Sequence, residues 1–150
     1  MKRKPTAGKI RENAMKRLFA LVVLSAALAA GPAFAQVNVK IGVLSDMSSL
    51  YADIGGPGSV TAAKMAIADF TAKNPNVKVE LVSGDHQNKA DVGSNLANQW
   101  YDVDKVDMII DVPTSSVALA VQQVAKEKGK IFIISGAAAS DLTGDRKSVV

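Results

Sequence analysis

Between Gln36 and Gly144 the apolar positions follow two periods that take turns along the chain. Val37 to Leu44 reads as a buried strand, and Val60, Ala63, Ile67 and Phe70 then recur at spacings of 3, 4 and 3, one face of a helix. Pro57, Gly58 and Ser59 open that helix, and Asn74-Pro75-Asn76 ends it. Val77, Val79 and Leu81 alternate with polar residues, as in a strand at a sheet edge, with Gly84 to Lys89 as its loop. Val92, Leu96, Trp100 and Val103 mark a second helix, and its Trp is read as a core residue. Val106 to Val112 makes a third strand; Thr114-Ser115-Ser116 then supplies a helix N-cap ahead of Val117, Val121 and Val124, and Gly129 closes that helix. Ile131 to Ile134 is uniformly apolar, as a strand covered on both faces should be. Ser135 to Gly144 carries no further helix or strand signal.

Strands that alternate with helices across short connections predict an α/β fold, a parallel sheet doubly wound by right-handed crossovers. In such an open sheet, ligands sit beyond the carboxyl ends of the strands where the winding reverses. If the strand order is 2-1-3-4, the loop Ser48 to Tyr51 faces Thr114 to Ser116 across the switch point, and Gly136 to Ala139 flanks them. These loops are rich in Ser, Thr, Gly and Ala, so a ligand can approach backbone N–H and hydroxyl donors. Ser49 and Tyr51 are candidates on the first loop, Tyr51 as an aromatic wall, and Thr114, Ser115 and Ser116 on the second.

The ends of the chain change how composition reads. Leu18 to Ala30 is an apolar run of 13 residues behind Lys16 and Arg17, followed by Ala33-Phe34-Ala35. That pattern is a secretory signal peptide starting at Met15 and cleaved after Ala35, with residues 1–14 an upstream extension. The run is short of the roughly 20 residues that a spanning helix needs. Of 18 Lys and Arg and 14 Asp and Glu, seven basic and one acidic residue precede Gln36, leaving 11 and 13 in the exported part. The formal charge of +4 therefore sits on the leader, and a nucleic-acid partner is not expected. Cysteine is absent, which rules out thiol catalysis and thiolate metal sites. Residues 145–150, Asp-Arg-Lys-Ser-Val-Val, back-translate as the opening of a common short-read sequencing adapter, so a non-native tail is expected there.

Several chemistries find no support. Gly55-Gly56-Pro57-Gly58 lacks the dinucleotide spacing and no Gly-Lys-Ser/Thr follows, so no cofactor is expected. His86 stands beside Asp85, but the second strand is expected to lie away from the switch point, and one His without Cys does not build a zinc site. Ser115 has no His partner on a neighbouring loop, which leaves no hydrolase triad. Asp102, Asp104 and Asp107 read as a solvated turn.

Taken in order, the leader, Val39-Lys40-Ile41-Gly42-Val43-Leu44, Met47-Ser48-Ser49, Ala62 to Phe70, Asp85-His86-Gln87-Asn88-Lys89-Ala90, Pro113-Thr114-Ser115-Ser116 and Ile134-Ser135-Gly136-Ala137-Ala138 resemble the leucine/isoleucine/valine-binding family. These are periplasmic solute receptors of ABC importers with the type I binding-protein fold. The resemblance implies two lobes closing on a ligand, of which residues 36–144 form an incomplete first lobe. It implies a ligand carboxylate held by Ser115 and the amides of its neighbours Thr114 and Ser116, with Ala137, Ala138 and Ala139 contributed by the loop after the fourth strand. Amino-acid binders often place Thr or Ser at the position of Ala139, so a carboxylate without an amine, or an amide, also fits. The expected protein is a non-enzymatic receptor that hands its ligand to an inner-membrane ABC permease. The ligand domain of a sensor and a secreted α/β enzyme are the competing classes.

Overall fold

The computed structural model describes residues 36–144; the expected signal peptide and tail lie outside them. The elements run β1 Val37–Ser45, α1 Gly56–Lys73, β2 Val77–Asp85, α2 Ala90–Asp102, β3 Met108–Asp111, α3 Ser115–Lys128, β4 Ile131–Ile134 and a short α4 Asp141–Gly144. The sheet has four strands in the order β2-β1-β3-β4, the order under which the loops after β1 and β3 face each other. Every pairing is parallel, from Val37↔Val77 to Ser45↔Asp85, from Ile41↔Met108 to Leu44↔Asp111, and from Met108↔Ile131 to Asp111↔Ile134. All four carboxyl ends therefore reach one edge.

Right-handed crossovers decide which face each helix covers. β1 leads to β2 on one side and β3 leads to β4 on the other, so α1 and α3 lie on opposite faces. The α2/α3 face holds the core, with Leu44, Trp100, Ile109, Val117, Val121 and Val124 buried together. Glycines on neighbouring strands make room for Trp100: a Cβ on Gly42 would stand 2.5 Å from its Cζ3, and one on Gly84 would stand 2.8 Å from its Cζ2. The indole is 5% exposed, a core residue as read from its helical face. Tyr101 donates its hydroxyl to the Ile131 carbonyl at 3.0 Å, tying α2 to β4, and burial pushes its pKa up.

Element ends show local causes. Gly129 takes the left-handed conformation at φ 60°, and Lys130 N–H bonds the Ala125 carbonyl at 2.9 Å, which stops α3 where the sequence predicted. β2 extends two residues further than expected, through Gly84 and Asp85, because β1 remains paired with it to Ser45. β3 is shorter than expected, although Asp107 N–H to Lys40 O and Val112 N–H to Leu44 O carry its pairing beyond both ends at 2.9 Å.

Two expectations are corrected. β4 is covered on one face only: Phe132 and Ile134 pack on the core, whereas Ile131 and Ile133 are 53% and 52% exposed, since α3 crosses just one side. The segment after β4 is not without structure, because Leu142 buries itself within α4.

Candidate functional site

Each strand delivers a polar group to the carboxyl edge. After β1 the chain turns on Asp46, which is fully buried and accepts the Ser49 N–H at 2.9 Å, the Ser49 hydroxyl, and the Tyr51 N–H at 3.0 Å. Burial pushes the Asp46 pKa up, but these hydrogen bonds outweigh it and the net shift is downward. Asp85, ending β2, clasps the same loop by accepting the Met47 N–H at 2.9 Å and the Ser48 hydroxyl at 2.6 Å. Its pKa is lowered in the same way, hydrogen bonds prevailing over burial.

The end of β1 also starts α1. Ser45 Oγ accepts the Gly56 N–H at 2.9 Å, and Gly56 sits at φ +50° with room for a Cβ only 3.0 Å from the Asp46 carbonyl. Gly55 is confined too: a Cβ there would stand 2.8 Å from Ser45 Oγ and 3.2 Å from Asp111 Oδ2. The glycines that failed as a dinucleotide motif thus bring the first loop against the end of β3.

At β3 the backbone itself is unusual. Asp111 and Val112 hold φ of 87° and 53°, a left-handed pair that a β-branched residue rarely adopts. Pro113 and Thr114 follow, buried, and Thr114 takes the extended N-cap backbone at φ −108° and ψ 130°. Yet its hydroxyl makes no cap bond. The first intrahelical bond of α3 is Ala118 N–H to Thr114 O at 2.9 Å, so the N–H groups of Ser115, Ser116 and Val117 precede the ladder. The loop after β4 joins them: Ser135 N–H bonds Asp111 O at 3.0 Å, its hydroxyl donates to Asp111 Oδ1, and a Cβ on Gly136 would stand 3.4 Å from Pro113 Cα.

The loops after β1, β3 and β4 therefore meet on one edge, and among the described residues the buried side-chain atoms without a partner belong to residues at or just after the carboxyl ends of β2 and β3. They are His86 Nε2, Asp111 Oδ2 and Thr114 Oγ1. Buried polar groups are almost always hydrogen-bonded, so leftover donors and acceptors at a switch point mark where a solute or ordered water belongs.

The sequence-derived residues are differently placed. Thr114 is buried, Ser115 half-buried and Ser116 exposed at the α3 N-terminus. Tyr51 is half-buried, while Ser49 is exposed with its hydroxyl proton already given to Asp46. Ala138 is exposed, whereas Ala137 and Ala139 lean on the core. None of these residues lines the open cleft of about 370 Å³ bounded by Met47, Pro57, Thr61, Lys64, Ser83 and Asp85, which lies between α1 and β2.

His86 is closer to the switch point than expected. It is fully buried and its N–H bonds the Ser45 carbonyl at 2.9 Å, since β2 is the direct neighbour of β1. Its Nδ1 accepts the Asn88 N–H at 3.0 Å, which leaves the proton on Nε2. Burial lowers its pKa against the pull of Asp46, Asp85 and Asp111, so the ring is neutral at pH 7. Asp46 and Asp111 were not singled out from the sequence, and Asp85 was named only as the neighbour of His86. The available signal was an acidic residue at or just after the end of three apolar strands.

A doubly wound lobe with its unsatisfied groups at the switch point has the architecture of a small-molecule-binding domain. The chain belongs to the periplasmic binding protein family, whose sequence pattern matches residues 38–149. It is similar to a periplasmic binding protein from Burkholderia mallei, at 46% identity and a TM-score of 0.64, over 71% of this chain and 28% of that one. A branched chain amino acid ABC transporter periplasmic ligand-binding protein from Burkholderia xenovorans matches at 48% identity and a TM-score of 0.64, over 67% of this chain and 27% of that one. A solute binding protein of an ABC transporter from R. palustris, in complex with 4-hydroxybenzoate, matches at 25% identity and a TM-score of 0.60, over 75% and 31%. No curated protein matches. The chain thus spans less than a third of the length of these solved relatives.

Proposed function

We propose that this chain is the first lobe of a solute-binding receptor of an ABC importer. It is exported by the signal peptide that ends at Ala35 and works in the periplasm, where it captures a small carboxylate-bearing solute for an inner-membrane permease. The observation that carries this reading is the start of α3, where uncapped N–H groups stand beside the buried, unpartnered Thr114 hydroxyl. A helix N-terminus with free N–H groups stabilises a negative charge, and a bound carboxylate would complete the cap that Thr114 leaves unmade.

In this reading Ser115 donates its hydroxyl to the carboxylate and the amides around Thr114 and Ser116 complete the cradle. Tyr51 and Ala138 form adjoining walls, with Ala137 and Ala139 as backing and Ser49 as an acceptor. A second lobe, as in the longer relatives, closes over the ligand; binding and closure do the work, without turnover. Relatives described as handling branched-chain amino acids and 4-hydroxybenzoate share a carboxylate and little else.

The test uses the complete receptor, with this chain continued through its second lobe. Its melting temperature is followed against amino acids, aromatic acids and amides, since a ligand that binds only the folded state raises it. Ser115→Ala should weaken the best ligand by about 1.5–3 kcal/mol, the worth of a hydrogen bond to a charged group. An unchanged dissociation constant would remove Ser115 from the site.

A further inference from the structure

Among the described residues β2 is the last strand on its side of the sheet, and Val77–Asp85 runs along that edge for 9 residues. Its register with β1 is unbroken by a bulge, and no proline interrupts it. Val37 N–H bonds the Asn76 carbonyl at 3.0 Å. In a parallel ladder that bond sets the alternation: the even-numbered residues of β2 turn their amides and carbonyls to β1, and Val79, Leu81 and Ser83 turn theirs outward. A long strand with its outer backbone groups unpaired is a template for another strand.

The side chains along this edge are complementary to themselves. Lys78 and Glu80 are exposed, and Val77, Val79 and Leu81 alternate with them, half-buried. Two such strands laid antiparallel about a twofold axis at Val79 set Val79 against the partner's Val79, Lys78 against the partner's Glu80, and Leu81 against the partner's Val77. Outward-turned residues then meet each other, so the backbone hydrogen bonds close as well. An axis at Lys78 or at Glu80 would oppose like charges, and one at Leu81 would set both charges against uncharged residues. Charge therefore selects the register centred on Val79. Glu80 already pairs with Lys40 of β1 at 2.9 Å, yet its side chain stays 57% exposed and has room for a second cation. Lys78 has no ion-pair partner among the described residues.

We propose that β2 is a docking edge for a second copy of this chain: Val77 to Leu81 pairs antiparallel with the same segment of the partner, and Lys40, Glu80 and the partner's Lys78 form one charged row across three strands. The ladder is short, because Val77 has already given its N–H to the Asn74 carbonyl at 3.0 Å and Pro75 has none to give. So small a contact makes a weak dimer whose population rises with concentration. The paired strands run in opposite directions, so the two carboxyl edges face opposite ways and neither solute site is covered.

Sedimentation velocity of the complete receptor tests this. The wild type should move from one chain towards two across the micromolar range. Lys78→Glu sets acid against acid and Glu80→Lys sets base against base, and each alone should weaken association by about tenfold or more. An equal mixture of the two variants restores both ion pairs in a mixed dimer and should associate at least as well as the wild type. Lys126→Glu, which reverses an exposed charge on α3, should change nothing.

A wild type that remains a single chain throughout that range would overturn the proposal, and so would Lys78→Glu associating as the wild type does. A mixture that stays apart while both variants are folded by circular dichroism would do the same, since the two charges would then not meet across the edge. Should Glu80→Lys unfold because it opposes Lys40, the added change Lys40→Glu restores the pair with β1, and the mixture is repeated with that chain.

Discussion

Ser49 gives both of its donors to Asp46, the backbone N–H at 2.9 Å and the hydroxyl at 2.5 Å. The carboxylate comes first in the chain and the loop folds back over it, so a buried acid three residues upstream holds the segment that carries Ser49 and Tyr51. Asp46→Ala should therefore lower the stability of the lobe by about 2–4 kcal/mol, since buried hydrogen bonds to a charge are lost together. Urea denaturation of the variant and its parent measures this. A shift below about 0.5 kcal/mol, the range of an ordinary surface substitution, would show that the loop holds without Asp46.

Acid should unfold the lobe in two stages. His86 has a pKa lowered from 6.5, first by burial, so just below pH 6.5 the unfolded chain binds a proton that the folded one does not. Stability therefore falls as pH drops through that window. Asp46 and Asp85 have pKa values below the usual 3.8, so their contribution is full above that pH and is lost as pH falls beneath it. The urea midpoint should hold above pH 7, decline as pH falls below about 6.5, and drop again below about 4. His86→Gln should abolish the upper decline and keep the lower one. A flat wild-type profile between pH 7 and 5 would contradict the neutral, buried imidazole.

Helices α2 and α3 meet at a glycine. A Cβ on Gly93 would stand 2.4 Å from Cγ1 of Val117, so Gly93→Ala forces the helices apart and should cost about 1–3 kcal/mol. Val117→Ala removes the opposing methyl, and the double variant should recover part of that loss. Additive effects in a double-mutant cycle would mean that the two positions do not press on each other.

The open face of β4 makes its own prediction. Ile131 and Ile133 are exposed on an edge strand, and such a strand templates association. Residues 36–144 produced alone should self-associate with rising concentration, and Ile133→Lys should reduce this in sedimentation velocity. Equal association of the variant and its parent would place the sticky surface elsewhere.

The order of elements was legible because apolar periodicity is local. Val60, Ala63 and Ile67 announce a helix face wherever the rest of the chain goes, and Thr114 with Gly129 brackets α3 by the φ/ψ and hydrogen-bonding preferences of single residues. The Thr114 to Ser116 loop could be singled out for the same reason. Residue type alone did not reveal that Ser49 spends its hydroxyl proton on Asp46, or that Ala137 and Ala139 face the core while Ala138 does not. Those outcomes depend on partners supplied by other segments.

Sequence by itself determined the alternation of strand and helix, the parallel doubly wound sheet and the carboxyl edge at which the loops collect, since periodicity and crossover handedness leave few topologies open, while the order β2-β1-β3-β4 came from the structure. Tertiary structure alone decided which polar groups there are consumed and which remain. Asp46 and Asp85 are saturated by the loop they hold; Asp111, Thr114 and His86 each keep an atom unspent. The difference is physical: a hydrogen bond is a relation between two atoms at about 3 Å, and no residue's identity states which neighbour the fold will bring that close.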